Sequence, residues 1–132
     1  MFRRENIKDT ISIFSQMRKE SGFVKPEGVD EIFMEVSTFT MHRSVFLRLD
    51  YAFGKALLNG APIEMDVKAF VKAMMLIVSS WEEEMVNDFI IDGKSYGVRF
   101  ERNGKYYSFY GRNKFPDNYG DFSRLLKTYG VE

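Results

Sequence analysis

The sequence contains no cysteine and a single histidine, His42. Without cysteine, disulfide scaffolds, thiolate metal sites and cysteine nucleophiles are all excluded. One histidine does not supply a multi-histidine metal site, and a Ser-His-Asp triad would depend on that residue alone. His42 lies in a predicted turn between strands, where an exposed residue is commoner than a general base. We therefore expect no metal, no cofactor and no catalytic residue.

A net charge is also lacking, because 19 basic and 19 acidic residues cancel. No overall field draws such a chain to phosphate backbones or anionic lipid, so nucleic-acid binding is disfavoured. The stretch "KSYGVRFE" at 94–101 matches the ribonucleoprotein motif of RNA-binding sheets only in part, since Val98 stands where that motif has an aromatic. Structural rings are the more frequent role for such residues.

Long hydrophobic runs and proline-rich linkers are absent too. The start "MFRRENIKDT" turns polar without an apolar segment, which predicts a cytoplasmic protein with no membrane partner. The chain has 132 residues, of which 45% are apolar and only three are proline. This composition predicts one globular domain over residues 1–132.

Two stretches alternate in the manner of strands. Residues 31–39 and 44–53 each place apolar side chains at every second position, and the short link "TMHR" predicts an antiparallel pair. Phe33 and Phe46 fall on the polar faces of these strands. Either another segment, such as the N-terminal one, covers them, or they belong to a contact surface.

Residues 5–20 are ambiguous between helix and strand. Ile7, Ile11 and Phe14 fit a helical period, whereas the β-branched residues at 10–13 fit a strand. The run "TISIFSQM" at 10–17 lacks strong helix formers, which favours the strand.

One long amphipathic helix is predicted over residues 66–86, after a loop "LLNGAPIEM". Asp66 is a candidate N-cap. Ser79 and Ser80 each precede a glutamate by three residues, so a break there is the alternative to a continuous helix. Seven apolar residues recur at three- and four-residue steps and predict a core stripe: Val67, Phe70, Val71, Met74, Val78, Trp81 and Met85.

A β-hairpin is predicted around Asn103 and Gly104, two residues that tolerate the positive φ angles of a two-residue turn. The turn fixes the register, pairing Val98 with Phe109 on an inward side. The other side pairs Gly97 with Tyr110, Arg99 with Ser108 and Glu101 with Tyr106.

The stretch "GRNKFPDNYGDF" at 111–122 predicts a tight passage from strand to helix. Pro116 does not extend a ladder, Asp117 or Asn118 suits an N-cap, and Gly130 ends the helix. The alternative is an anion pocket, in which the helix amides act with Arg112 and Lys114.

The stretch "DGKSYGVRFERNGKYYSFYGRNKFPDNYGDF" resembles the C-terminal signature of small uncharacterised bacterial proteins. It combines a DG turn at 92–93, a hairpin and Gly-x-Asn-x-Phe-Pro-x-Asn before a short helix, over roughly the last 45 residues. In that family an aromatic residue follows the DG turn, and Tyr96 takes that place here. The resemblance implies an α+β fold and brings no established activity.

Together these patterns predict an α+β fold, with an antiparallel sheet of four or five strands packed by one long helix and a short C-terminal helix. The predicted function is a non-enzymatic interaction or regulatory protein of bacterial or mobile-element origin, with a protein partner. The predicted contact surface comprises Arg99, Glu101, Tyr106, Tyr110, Arg112 and Lys114.

Two alternatives remain open at this stage. One is a small-molecule or anion-binding module with a pocket between sheet and helix. The other is a hydrolase or transferase that uses Glu101 with Asp92 or Asp117.

Overall fold

The computed structural model describes residues 4–21, 28–87 and 93–132. They form three helices and seven strands of one α+β domain. In chain order the elements are α1 (Arg4–Ser21), β1 (Ile32–Phe39), β2 (Ser44–Asp50), β3 (Lys55–Leu58), β4 (Ala61–Ile63), α2 (Val67–Val78), β5 (Glu84–Val86), β6 (Ser95–Arg102), β7 (Lys105–Arg112) and α3 (Tyr119–Thr128).

All seven strands belong to a single sheet in the order β4-β3-β2-β1-β6-β7-β5. Every pairing is antiparallel except that of β5 with β7, which is parallel. The prediction of an α+β domain is confirmed, but that of a purely antiparallel sheet of four or five strands is wrong. The additional strands are β3, β4 and β5, which have only three or four residues each.

The helices lie on both faces of the sheet. α2 and α3 cover one face, where Met34, Leu47 and Val98 are fully buried together with Phe70 of α2 and Phe122 of α3. We call the opposite face, which α1 partly covers, the outer face. Because strand side chains alternate, each strand contributes to both faces.

The preference for a strand at residues 10–17 is wrong, because these residues lie within the helix α1. Phe14 and Met17 are buried against Phe33 of β1. Local β-branched preference is weak, and burial on an apolar sheet position outweighs it. Phe33 is therefore covered by the N-terminal segment, whereas Phe46 remains 37% exposed.

The predicted helix over residues 66–86 is too long. α2 begins as predicted, because the Asp66 carboxylate accepts a hydrogen bond of 3.1 Å from the Ala69 amide. It ends at Val78, next to Ser79, whose hydroxyl donates to the Leu76 carbonyl at 2.6 Å. Residues 84–86 then form β5, which hydrogen-bonds to β7. Pairing with this distant strand therefore outweighs the helical period of the sequence. Trp81 is still buried, although it lies beyond the helix.

The stretch "LLNGAPIEM" is a hairpin rather than a loop. Asn59 and Gly60 join β3 to β4 with φ angles of 49° and 84°. Asn103 and Gly104, the turn predicted between β6 and β7, have nearly the same φ angles of 48° and 86°. The same turn chemistry therefore occurs twice in the chain.

The hairpin of β6 and β7 has the predicted register. Val98 lies opposite Phe109 and Glu101 lies opposite Tyr106. Val98 is completely buried and Phe109 packs against the core, so the predicted inward side is confirmed.

The passage into α3 is also a structural corner, as predicted. Asn118 is the N-cap residue, but its side chain does not bond to the first turn of α3. It accepts 2.7 Å from the Trp81 indole and donates 2.9 Å to the Ile77 carbonyl, which joins α3 to the end of α2. Gly130 ends the helix with φ 71°. Asp92 of the predicted DG turn lies outside the described residues.

Candidate functional site

The outer face is where the structure places most of the predicted contact surface. The register puts Arg99, Glu101, Tyr106, Tyr110 and Arg112 on this face. Lys114 lies beyond the end of β7. Its backbone carbonyl accepts the Tyr96 hydroxyl at 2.5 Å, which anchors the corner before α3.

Two of these residues are used within the fold. Glu101 is only 3% exposed and forms an ion pair with Arg18 of α1. Arg18 also bonds to Glu31 at 3.2 Å, and its guanidinium lies 5.2 Å from the centre of the Phe33 ring. Burial opposes the charge of Arg18, but its bonds to Glu101 and Glu31 outweigh this and raise its pKa. Glu101 therefore helps to dock α1 rather than facing solvent.

Arg99 belongs to a second cluster, centred on Glu35 of β1. Glu35 is 3% exposed. One carboxylate oxygen accepts 2.6 Å and 2.8 Å contacts from Arg99, and the other accepts 3.0 Å from Nε of Arg48. One negative charge between two positive ones leaves this cluster with one net positive charge.

Sequence reasoning missed Glu35 and Arg48 because both looked like ordinary polar positions of half-exposed strands. The signal lay in their pairing. Once β1 and β2 are aligned as an antiparallel hairpin, Glu35 falls directly opposite Arg48. Opposite charges at facing positions stabilise strand pairing and mark that face as one with its own polar structure.

A cleft lies at the end of the outer face where β2, β3 and β4 meet α1. Its volume is about 340 Å³. Its wall combines apolar side chains with four charged ones. The lining residues are Met17, Arg48, Asp50, Gly54, Lys55, Ala56, Leu57, Pro62, Ile63, Glu64 and Met65.

A second cleft of about 370 Å³ adjoins the first. The two share Arg48 and Leu57, and the second adds Phe46, Asn59 and Gly60. Phe46 also meets Phe39 of β1 edge to face, with ring centres 5.0 Å apart. The clefts therefore form one continuous groove along β2 and β3, which we call the Arg48 groove.

At the other end of the sheet, β7 has an open edge. β5 pairs only with residues 110–112, so within the described part of the chain residues 105–109 have no strand on their outer side. Tyr106 and Tyr107 are each 40% exposed beside this edge. Tyr106 stacks loosely on Phe14 at 6.4 Å, and Tyr107 stacks on Phe100 at 4.7 Å.

Of the carboxylates proposed for a hydrolase, the two that the structure describes do not converge. Glu101 is on the outer face, whereas Asp117 precedes α3 on the opposite face, and Asp92 lies outside the described residues. His42 is exposed in the turn between β1 and β2, as predicted. The described residues hold no group of three metal-ligating side chains.

Among the described helices, none has the length and apolar character needed to cross a bilayer. No protein-family model, curated protein or solved structure matches the chain. The C-terminal resemblance therefore stays a prediction.

Proposed function

We propose that this protein is a non-enzymatic interaction protein that binds an extended segment of a partner polypeptide along the outer edge of β7. The observation that supports this is that, among the described residues, only β6 pairs with residues 105–109. A strand edge with free N–H and C=O groups is a template for an added strand, and recognition by strand addition uses main-chain hydrogen bonds for affinity.

The direction of the N–H groups at this edge follows from the direction of the Tyr110 amide. The Tyr110 amide donates 2.9 Å to the Glu83 carbonyl, away from β6. Backbone groups two residues apart in a strand point the same way, so the amides of Ser108 and Tyr106 also point outward. Those of Tyr107 and Phe109 point toward β6.

The side chains beside this edge suit a peptide. Tyr106 lies on the outer face and Tyr107 on the opposite face, so an added strand would meet a tyrosine ring on each side. Rings of this kind offer large contact area at low cost in side-chain entropy. Lys105 adds a positive charge at the open end. An acidic or neutral extended peptide therefore fits this edge better than a basic one.

Hydrogen exchange tests the open edge directly. In the free protein the amides of Tyr106 and Ser108 should exchange far faster than those of Tyr107 and Phe109, because only the latter pair is bonded within the sheet. Equal protection of all four amides would show that another part of the chain already occupies the edge.

Binding is tested by panning a random peptide library against the immobilised protein and measuring affinity for the selected peptides. Ser108→Pro removes one outward N–H and should weaken binding about tenfold through the loss of one hydrogen bond. The fold should tolerate the change, because proline is accepted on an edge strand where the N–H faces solvent. Ser108→Ala keeps the amide and serves as the matched control. Equal affinity of both variants would contradict strand addition. Self-association of the protein through this edge would instead identify a second copy of the chain as the occupant and contradict the proposal of a separate partner.

A further inference from the structure

The Arg48 groove lies at the opposite end of the sheet from the β7 edge, and none of residues 105–109 lines it. Each of its two clefts falls within the roughly 300–1,000 Å³ typical of small-molecule sites. Arg48 and Leu57 lie in both clefts and therefore at the middle of the groove. The shape is elongated, because one end reaches Met65 and the other reaches Asn59.

Arg48 is held in place through only one of its three guanidinium nitrogens. Its Nε is bonded to Glu35, which Arg99 holds from the other oxygen. Within the described part of the chain Arg48 has no polar partner besides Glu35, and its side chain is 41% exposed. Its two terminal nitrogens are therefore free to donate, and a planar guanidinium binds a carboxylate through two parallel hydrogen bonds.

The remaining charges limit what the groove accepts. Asp50 and Glu64 line it alongside Arg48 and Lys55. The Asp50 carboxylate accepts 3.3 Å from the Phe53 amide and is 7% exposed, so it is fixed within the fold. These two carboxylates repel a ligand with several negative charges, whereas one carboxylate at Arg48 is compatible with them.

The apolar part of the wall indicates what kind of chain the ligand carries. Leu57 forms the floor between the two clefts, with Met17 and Met65 toward one end and Phe46 toward the other. Methionine side chains adapt to flexible apolar ligands. Such a wall suits a hydrocarbon chain that extends from a charged head at the centre.

We propose that the Arg48 groove binds an elongated aliphatic monocarboxylic acid, with its carboxylate on the Arg48 guanidinium and its chain on Leu57 and the flanking apolar residues. An anionic head on an aliphatic chain occurs both in free fatty acids and in anionic membrane lipids. The groove is a concave site of limited length, which favours the free acid.

Isothermal titration with hexanoate, octanoate, decanoate and dodecanoate below their micelle concentrations tests the proposal. Saturable binding that strengthens with chain length is expected. Decanol is the matched probe without the carboxylate and should bind about tenfold to a hundredfold more weakly than decanoate. Equal binding of decanol, or no saturable binding of any acid, would overturn the proposal.

Two variants test whether decanoate binds in the Arg48 groove. Arg48→Gln should weaken decanoate binding about tenfold to a hundredfold, whereas Arg124→Gln on α3, far from the groove, should leave it unchanged. Leu57→Trp fills the floor of the groove beside Arg48 but keeps all three charged residues of the Glu35 cluster, so it keeps the test valid if Arg48→Gln impairs folding. Unchanged affinity in Leu57→Trp would contradict the assignment.

Two further readouts separate this proposal from others. Resonances of Leu57 and Met65 should shift on adding decanoate while those of Tyr106 and Ser108 do not, which distinguishes the groove from the β7 edge. Binding to liposomes of anionic phospholipid without binding of free decanoate would assign the groove to membrane lipid and overturn the free-acid proposal.

Discussion

The face of the sheet under α2 and α3 is built almost entirely of apolar side chains, whereas the outer face mixes rings with ion pairs. On the first face Met34, Leu47 and Val98 are fully buried. On the outer face, Glu35 and Glu101 are equally inaccessible but each is paired with arginine.

The two faces therefore contribute differently to the stability of the fold and to binding. Burial of apolar area is the main stabilising contribution, while a buried ion pair recovers little beyond its desolvation cost. The helical face therefore supplies most of the folding free energy. The outer face keeps polar groups in fixed positions, and both proposed binding regions adjoin it. Four substitutions or conditions test this division.

The largest effect is expected from Phe70→Ala on the helical face. Phe70 is completely buried and meets Tyr129 edge to face at 5.2 Å. Its loss should lower the free energy of unfolding by about 3–5 kcal/mol, measured by urea denaturation. Leu76→Ala on the same helix is the control, because Leu76 is 76% exposed and should change stability by less than about 0.5 kcal/mol. Similar losses in both variants would contradict the assigned core.

A smaller loss is expected from Gly111→Ala. A Cβ at Gly111 would overlap the ring of Tyr96, which is buried and held by its bond to Lys114. Overpacking of this kind should cost about 1–3 kcal/mol.

Gly120→Ala is the matched control for Gly111→Ala, with the opposite sign expected. Nothing lies within 4 Å of its added Cβ, and the position is in α3. Alanine should therefore stabilise by roughly 0.5–1 kcal/mol through helix propensity. A stabilising Gly111→Ala would show that the Tyr96 ring is free to move.

On the outer face, Arg18→Ala leaves Glu101 buried without its partner. Because Arg18 is itself 38% exposed, solvent weakens the pair, and a loss of about 1–2 kcal/mol is expected. The change should appear first as faster hydrogen exchange in α1. Arg124→Ala, which breaks an exposed pair with Asp121, should cost no more than about 0.5 kcal/mol. Unchanged α1 exchange in Arg18→Ala would remove the docking role of Glu101.

The smallest effect at ordinary pH, but one that grows with alkalinity, concerns Tyr96 on the helical face. Burial, together with the nearby Tyr119, raises the Tyr96 pKa far above its ordinary value. Burial also raises the pKa of Tyr119, and Lys94 opposes this. The unfolded chain therefore loses these protons first.

It follows that stability is fully present below about pH 10 and falls above it, by roughly 1 kcal/mol per pH unit for Tyr96. Urea midpoints measured between about pH 9 and pH 11 test this. Tyr96→Phe should flatten the decline, at the cost of the bond to Lys114. A wild-type midpoint that does not change over this range would contradict it.

Local sequence was enough for the elements whose interactions are close along the chain. The alternation in β1 and β2, the Asp66 cap of α2 and the register of β6 with β7 follow from neighbouring residues and turn chemistry. Asn59 and Gly60 carried the same turn signal for β3 and β4, but the flanking strands were too short for alternation to be recognised.

The candidate sites were less predictable than the fold. Tyr106 and Tyr110 were expected on the outer side of the hairpin, and they lie there. The opening beside Tyr106 depends on how far β5 extends, and the local sequence pattern predicts helix where β5 lies. The Arg48 groove depends on three strands and one helix meeting, so no single stretch of sequence contains it.

The α+β composition, the paired strands and the aromatic hairpin follow from the amino-acid order alone, because hydrophobic period and turn residues act over a few neighbours. Three outcomes are visible only in the folded chain. Phe33 is covered while Phe46 is not, residues 84–86 form a strand paired with β7 instead of continuing the helix, and Glu35 binds two arginines. These outcomes depend on contacts between distant segments, where burial and pairing outweigh local preference.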